Sequence, residues 1–214
     1  MLRRIVASAA ILFASISAFA GDGHDHKEAP IADMSKAYKL IAQPQAVPAN
    51  GQVHVEELFW YGCGHCFSLE SHVESWASKL PADVEFTRIP AMFGKAWVIH
   101  AQMYYIGETL GLTEQTHSAI FKAIHMKGER LQRKSEQQKF FADYGVSEED
   151  FDKAYSSFTV KSRMKQADKR IRAYQVSGVP AVVVNGKYLI DASSAGGQHN
   201  IFKVVDYLIE QERK

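Results

Sequence analysis

The sequence predicts an α/β protein in which a strand–helix–strand unit is interrupted by an all-helical segment and completed by a strand–strand–helix unit. Three observations carry that reading. Val53 to Phe59 is a β-branched, apolar run followed at once by a helical pattern. From Lys95 to Tyr174 the texture is helical throughout. Strand character then returns in Ala181 to Ile190, two β runs joined by Asn185-Gly186, the strongest short-range hairpin signal.

Each element has its own warrant. Tyr38 to Ile41 reads as a short strand before a turn region holding Pro44, Pro48 and Asn50-Gly51. Val53, Val55 and Phe59 mark a buried strand although Glu56 and Glu57 interrupt it. Leu69, Val73, Trp76 and Leu80 recur at helical spacing, which predicts a helix over Phe67 to Leu80 stopped by Pro81. Val84, Phe86, Arg88 and Ile89, ahead of Pro90, form a second core strand. Trp97 to Leu110 is an apolar helix ending at Gly111, and Thr113 is placed to cap the next. Ser135 with Gln138 fits a capping box for a helix stopping near Gly145, and Ser147 with Asp150 is a related start signal. Phe158 to Tyr174 is the last of this group. Gly196-Gly197 breaks the chain, and Asn200 to Glu210 closes it with Ile201, Val204, Val205, Leu208 and Ile209 on one face.

The N-terminus reads as a targeting segment. Arg3 and Arg4 precede the apolar stretch Ile5 to Ile16, and Ala18-Phe19-Ala20 supplies a small-residue cleavage signal. The stretch is too short to span a bilayer comfortably, and no cysteine lies near it to carry a lipid. The expectation is a leader over 1–20, an exported chain, and a polar lead-in over 21–36. That lead-in carries His24-Asp25-His26, which lacks a full metal-ligand set and reads as solvated tail. Lys and Arg number 25 against 24 Asp and Glu, so losing Arg3 and Arg4 leaves a near-neutral chain. Near-neutrality argues against a nucleic-acid or anionic-membrane binder. A hydrophobic content of 46%, with 12 Phe and 9 Tyr, suffices for one sizeable core.

The chain has two cysteines, Cys63 and Cys66, in Trp60-Tyr61-Gly62-Cys63-Gly64-His65-Cys66. They sit between the first core strand and its helix. A cysteine at a helix N-terminus faces unpaired N–H groups and the positive end of the helix dipole, and both stabilise a thiolate. The thiolate is the nucleophile of disulfide exchange, and the second cysteine can close the ring. As a structural staple the pair would close too small a loop to matter. Zinc would need two further N or S ligands, and no second cysteine pair or suitably spaced histidine pair supplies them. Redox chemistry is the expectation, with the cysteine pair itself as the redox group and no separate cofactor or metal.

The ordered set of motifs resembles a known family. Val-x-Glu-x-Phe precedes the cysteines, Cys63-Gly64-His65-Cys66 follows, and Gly178-Val179-Pro180-Ala181 leads into Val184-Asn185-Gly186-Lys187-Tyr188. This is similar to a thioredoxin fold with an inserted all-helical domain, the insertion that distinguishes the DsbA family of periplasmic disulfide oxidases. The resemblance runs from about Tyr38 to the C-terminus. It implies a discontinuous thioredoxin-like domain over 37–92 and 175–214, with the helical insertion over 93–174.

The resemblance also implies roles. Cys63 is the exposed partner that forms the mixed disulfide, Cys66 the buried one, and His65 stabilises negative charge on Cys63. Position 64 departs from the family, where proline is common; Gly64-His65 resembles protein disulfide isomerase, which bears on oxidising strength. Pro180 matches the family's cis-proline, with the Val179 backbone beside it available to an extended substrate. Glu57 aligns with an acidic residue beneath the site that relays protons, with Arg88 where lysine is frequent, while Glu70 reads as a solvated partner of the helix dipole. Trp60, Tyr61, Phe67 and Phe93 supply apolar surface, and Met92 and Met103 read as core or rim. The implied partners are unfolded, newly exported cysteine-containing proteins and a re-oxidising inner-membrane protein resembling DsbB, with the chain acting as a monomer in the periplasm. The competing readings are a disulfide isomerase or reductase of the same fold and a non-enzymatic chaperone or metallochaperone.

Overall fold

The computed structural model describes Ile31 and residues 33–214. The leader, its cleavage signal, His24 and His26 lie outside the described residues. Five strands form one sheet: β1 (Lys39–Leu40), β2 (Val53–Phe59), β3 (Val84–Pro90), β4 (Ala181–Val184) and β5 (Tyr188–Asp191), in the order β1-β5-β4-β2-β3. β2 and β3 pair in parallel through α1 (Gly64–Ala77), and the remaining pairings are antiparallel. Between β3 and β4 run α2 (Lys95–Thr109), α3 (Thr113–His125), α4 (Lys134–Ala142), α5 (Glu148–Ser156) and α6 (Phe158–Ala173), and α7 (Ile201–Glu212) closes the chain.

Apolar side chains divide between two cores. Val53, Val55, Val182, Val184 and Ile190 pack against Leu69 and Val73 of α1 and Val204, Val205 and Leu208 of α7. Leu58, Phe59, Ile89 and Val183 join Met103, Ile106, Ile120, Phe121, Phe141, Phe151 and Ile171. The helices between β3 and β4 therefore share their core with the sheet. All seven residues of β2 are buried, including both glutamates. Each carboxylate has its own cation: Arg170 lies 2.6 Å from Glu56, which also accepts from the Tyr174 hydroxyl, and Arg88 lies 3.2 Å from Glu57. Two-sided burial explains why β2 lacks a clean alternation of polar and apolar residues.

The hairpin forms as expected. Asn185 and Gly186 both take left-handed backbone, with φ of 49° and 63°. A Cβ at Gly186 would sit 2.2 Å from the Gln45 carbonyl oxygen, so close approach of the preceding segment requires glycine here.

Helix starts differ from the sequence expectations in three places. α1 begins at Gly64 rather than Phe67 because the Cys63 side chain caps it, and it ends at Ala77, short of Leu80. Thr113 does not cap α3; Leu112 holds that position without a side-chain bond, and Thr113 is already helical. Ser135 and Gln138 form no box. The Glu136 carboxylate instead accepts the N–H groups of Gln132 at 2.9 Å and Arg133 at 3.1 Å, since an ionised acceptor outcompetes an amide. Ser147 caps α5 as expected, accepting from the Asp150 N–H at 3.0 Å.

Candidate active site

Cys63 sits at the N-cap of α1 with extended backbone, φ −87° and ψ 114°. Its sulfur accepts the Cys66 N–H at 3.3 Å, one of the donors that a helix start leaves unpaired. Its thiol points to the Val179 carbonyl oxygen, 3.6 Å away. The Val179–Pro180 bond beside it is cis. Cys63 is half-buried and Cys66 is fully buried, both as free thiols.

Electrostatics separate the two sulfurs. Cys63 is brought down from 9.0 to about 6, chiefly by the side-chain hydrogen bond from Cys66. Burial opposes this, while the N–H groups of Cys66 and His65 and the charge of His65 add to it. Burial pushes the Cys66 thiol far up, and the neighbouring Cys63 and the charge of Glu57 push it further. Alkylation of the reduced protein by iodoacetamide is therefore expected to rise with a midpoint near pH 6 and label Cys63 alone. A midpoint near pH 9, that of an unassisted thiol, would contradict this assignment.

His65 is exposed, and its backbone oxygen accepts from Gln198, which ties the first turn of α1 to the loop before α7. Gly64 is exposed, with open space where a Cβ would stand, so sterics do not demand glycine there. Gly62 differs: a Cβ would lie 2.3 Å from the Trp60 ring, which folds back over it. That ring stacks on Trp97 at 4.0 Å and 10°, and its N–H donates to His100 Nδ1 at 3.1 Å. Phe93, 45% exposed, packs on Trp97 at 5.2 Å, and Val98 is 41% exposed, so an apolar patch flanks the cysteine loop. On another side a cleft of about 600 Å³ is lined by His65, Gly178, Val179, Pro180, Leu189 and Gln198.

Two expected placements are corrected. Tyr61 offers no surface to a substrate: it is 1% exposed, turned inward against Phe59 and Phe121, with its hydroxyl 2.9 Å from His117 Nδ1. Glu70 is not solvated. It is buried, bound to Arg88 at 3.1 Å and to His117 at 3.3 Å. Phe67 is half-buried and stacks on His125 at 4.8 Å, Met92 is half-buried, and Met103 lies in the core.

Glu57 is 1% exposed, with one carboxyl oxygen near Arg88 and the other without a hydrogen-bond partner. Burial pushes its pKa up to about 8 although the Arg88 charge opposes the rise; Glu70 adds to it. Burial alone would also raise Glu70, but the His117 hydrogen bond, the His117 charge and Arg88 outweigh it and hold Glu70 below its ordinary value. Arg88 thus lies between a carboxyl inclined to keep its proton and one inclined to lose it. Sequence reasoning missed Gly62, Gln198 and His117. Only His117 left a signal, a polar residue three and four positions before Ile120 and Phe121 on the apolar face of α3. Among the described residues no cluster of three or more His, Cys, Asp or Glu is arranged to hold a metal, and no helix is long and apolar enough to cross a membrane.

Residues 69–207 match the family described as the DSBA-like thioredoxin domain. The chain belongs to the DsbA family. The thiol:disulfide interchange protein DsbA of Azotobacter vinelandii is 48% identical over 184 residues, covering 85% of this chain and 86% of its own length. The DsbA of Pseudomonas aeruginosa strain PAO1 is 42% identical over 212 residues, covering 99% of this chain and 98% of its own. The crystal structure of Pseudomonas aeruginosa DsbA superposes with a TM-score of 0.79 at 46% identity, covering 84% of this chain and 93% of that one. Oxidoreductase DsbA from Xylella fastidiosa gives 0.78 at 31% identity, with 84% and 96% covered. The DsbA fold is thus this chain's fold, a thioredoxin core carrying helices between β3 and β4, and its activity is that of a thiol:disulfide oxidoreductase.

Proposed function

We propose that this DsbA-family protein is exported to the periplasm and there oxidises cysteine pairs in newly exported proteins. The opposite displacement of its two thiols carries the reading: the accessible sulfur is a good leaving group and the buried one is not. A substrate thiolate attacks Cys63 of the Cys63–Cys66 disulfide. The substrate–Cys63 bond forms, the Cys63–Cys66 bond breaks, and the electron pair goes to Cys66. Buried Cys66 does not hold that charge, so it takes the carboxyl proton of Glu57. A second substrate thiolate then attacks the substrate's own sulfur and Cys63 leaves as a thiolate. Two electrons have passed from the substrate to the cysteine pair, which needs no other cofactor.

His65 favours the departing Cys63 thiolate from the first turn of α1. Val179 and Pro180 line the cleft beside Cys63, where an extended segment can pair with exposed backbone. Trp60 steadies the apolar patch of Phe93 and Val98, which suits unfolded chains of varied sequence. A membrane protein resembling DsbB restores the disulfide, and the protein works as a monomer. The basic and apolar N-terminal pattern supports export. Mixing the oxidised protein with a reduced, unfolded dithiol protein tests the reading: one substrate disulfide per Cys63–Cys66 disulfide consumed is expected. Failure to oxidise the substrate, with disulfide shuffling instead, would favour an isomerase.

A further inference from the structure

Buried polar groups behind Cys66 form one connected cluster that reaches from β2 into the helices. The Tyr61 hydroxyl meets His117 Nδ1 at 2.9 Å, and His117 Nε2 meets Glu70 at 3.3 Å. Glu70 meets Arg88 Nη2 at 3.1 Å, and Arg88 Nε meets Glu57 at 3.2 Å. With Glu70 ionised, His117 donates from Nε2 and accepts the Tyr61 hydroxyl proton at Nδ1. A cleft of about 570 Å³ is lined by His117 and Arg88, together with Glu74, Glu108 and Glu114, and by neither cysteine. Solvent therefore has a route to the histidine end of the cluster that avoids the sulfurs.

Arg88 does not pass on protons, because a guanidinium stays charged. The cluster thus couples charges without conducting a proton from end to end. Its two ionised members, Arg88 and Glu70, cancel. With Glu57 protonated and His117 neutral, the buried group has no net charge. Once Glu57 gives up its proton, one negative charge is left in a site where unpaired charge is costly.

We propose that His117 takes up a solvent proton from this cleft as Glu57 protonates the Cys66 thiolate, which makes His117 a positioning residue that keeps the buried cluster neutral during exchange. The inference rests on the role given to Glu57 above. The Glu57 proton moves to Cys66 sulfur and leaves a carboxylate, while a hydronium ion gives its proton to His117 Nδ1 and leaves water. The Tyr61 hydroxyl serves both states, since it donates to the neutral ring and accepts from the charged one. The groups facing His117 are Tyr61 from the loop before α1, Glu70 and Glu74 from α1, Arg88 from β3 and Tyr104 from α2. Burial is the largest influence on His117 and holds its pKa below the ordinary value. The Glu70 hydrogen bond and the charges of Glu70 and Glu74 oppose this, Arg88 adds to it, and ionisation of Glu57 places one more negative charge on the side of the imidazolium.

The test opens the oxidised protein's disulfide with reduced glutathione and follows bond opening and solvent pH together by stopped flow. In the wild type the proton shed by the first glutathione as it ionises is matched by the one taken up at His117, so no acidification is expected until a second glutathione frees Cys63 as a thiolate and sheds a lasting proton. In His117→Gln, which keeps a donor for Glu70 but binds no proton, opening slows roughly tenfold and a proton appears transiently in solvent. Wild-type kinetics in His117→Gln, with Glu57→Gln still slow, would overturn the inference alone. Wild-type kinetics in Glu57→Gln would overturn the role of Glu57 and the inference with it. Should His117→Gln not fold, the His117 ring nitrogen NMR shifts of the wild type decide: an imidazolium in the glutathione mixed disulfide sustains the proposal and a neutral ring overturns it.

Discussion

Replacing Cys66 by alanine is expected to leave a protein whose Cys63 attacks disulfide-bearing partners, forms a mixed disulfide as the partner's own disulfide breaks, and does not let go, with oxidase turnover falling roughly a thousandfold or more. Cys63 loses the side-chain hydrogen bond from Cys66, the largest influence that lowers its pKa, but keeps its place at the helix start and the backbone N–H at 3.3 Å, because alanine retains that N–H. What disappears is the only internal thiol able to resolve the adduct. Cys63→Ser should show the complementary loss, with neither adduct nor turnover, because no reagent reaches fully buried Cys66. Mass spectrometry after incubation with glutathione disulfide distinguishes the two. One glutathione on Cys66→Ala and none on Cys63→Ser is the expected pair, and an adduct on Cys63→Ser would assign the exposed nucleophile wrongly.

Glu57→Gln is expected to stabilise the fold, and to do so only as pH rises. Burial raises this carboxyl from 4.5 to about 8, so the folded state prefers it protonated. A raised pKa means that the associated stability is fully present below pH 4.5 and is lost as pH climbs through about 8. Glutamine carries no charge to expose and keeps that stability. At about 1.4 kcal/mol per unit the upper bound is about 5 kcal/mol; a gain of about 2 kcal/mol at pH 9 is expected after the weakened contact with Arg88 is allowed for. Urea unfolding at pH 4.5 and pH 9 measures it. An equal difference at both pH values would mean that Glu57 does not titrate between them.

The same carboxyl shows where sequence reading reaches its limit. β2, the hairpin at Asn185-Gly186, α7 and the stretch of helices before β4 are written in local periodicity and turn chemistry, and each stands where expected. The cysteine pair is legible for the same reason, since strand, loop and helix are consecutive. What joins Glu57 to the rest of the site is not local. Arg88 comes from the neighbouring parallel strand, Glu70 from α1 and His117 from α3, and only the packing of α3 against α1 makes a buried cluster of residues that look solvated in isolation. Tyr61 misled in the opposite sense. An aromatic next to a reactive loop reads as surface, but its ring completes the core around Phe59 and Phe121. The Thr113 and Ser135 caps failed, while Ser147 held, for a smaller reason: several side chains near each start can cap, and the winner depends on loop geometry that composition does not encode.

Equilibrating the Cys63–Cys66 pair in graded glutathione buffers, with the fluorescence of Trp60 beside the site as the readout, tests the central claim most directly. The thiolate-favouring surroundings of Cys63 stabilise the reduced form, so the potential should lie well above the ~−270 mV of thioredoxin, and the disulfide should destabilise the fold relative to the dithiol. A thioredoxin-like potential with a stabilising disulfide would contradict the oxidase reading and bring forward a reductase or isomerase built on the Gly64-His65 pair.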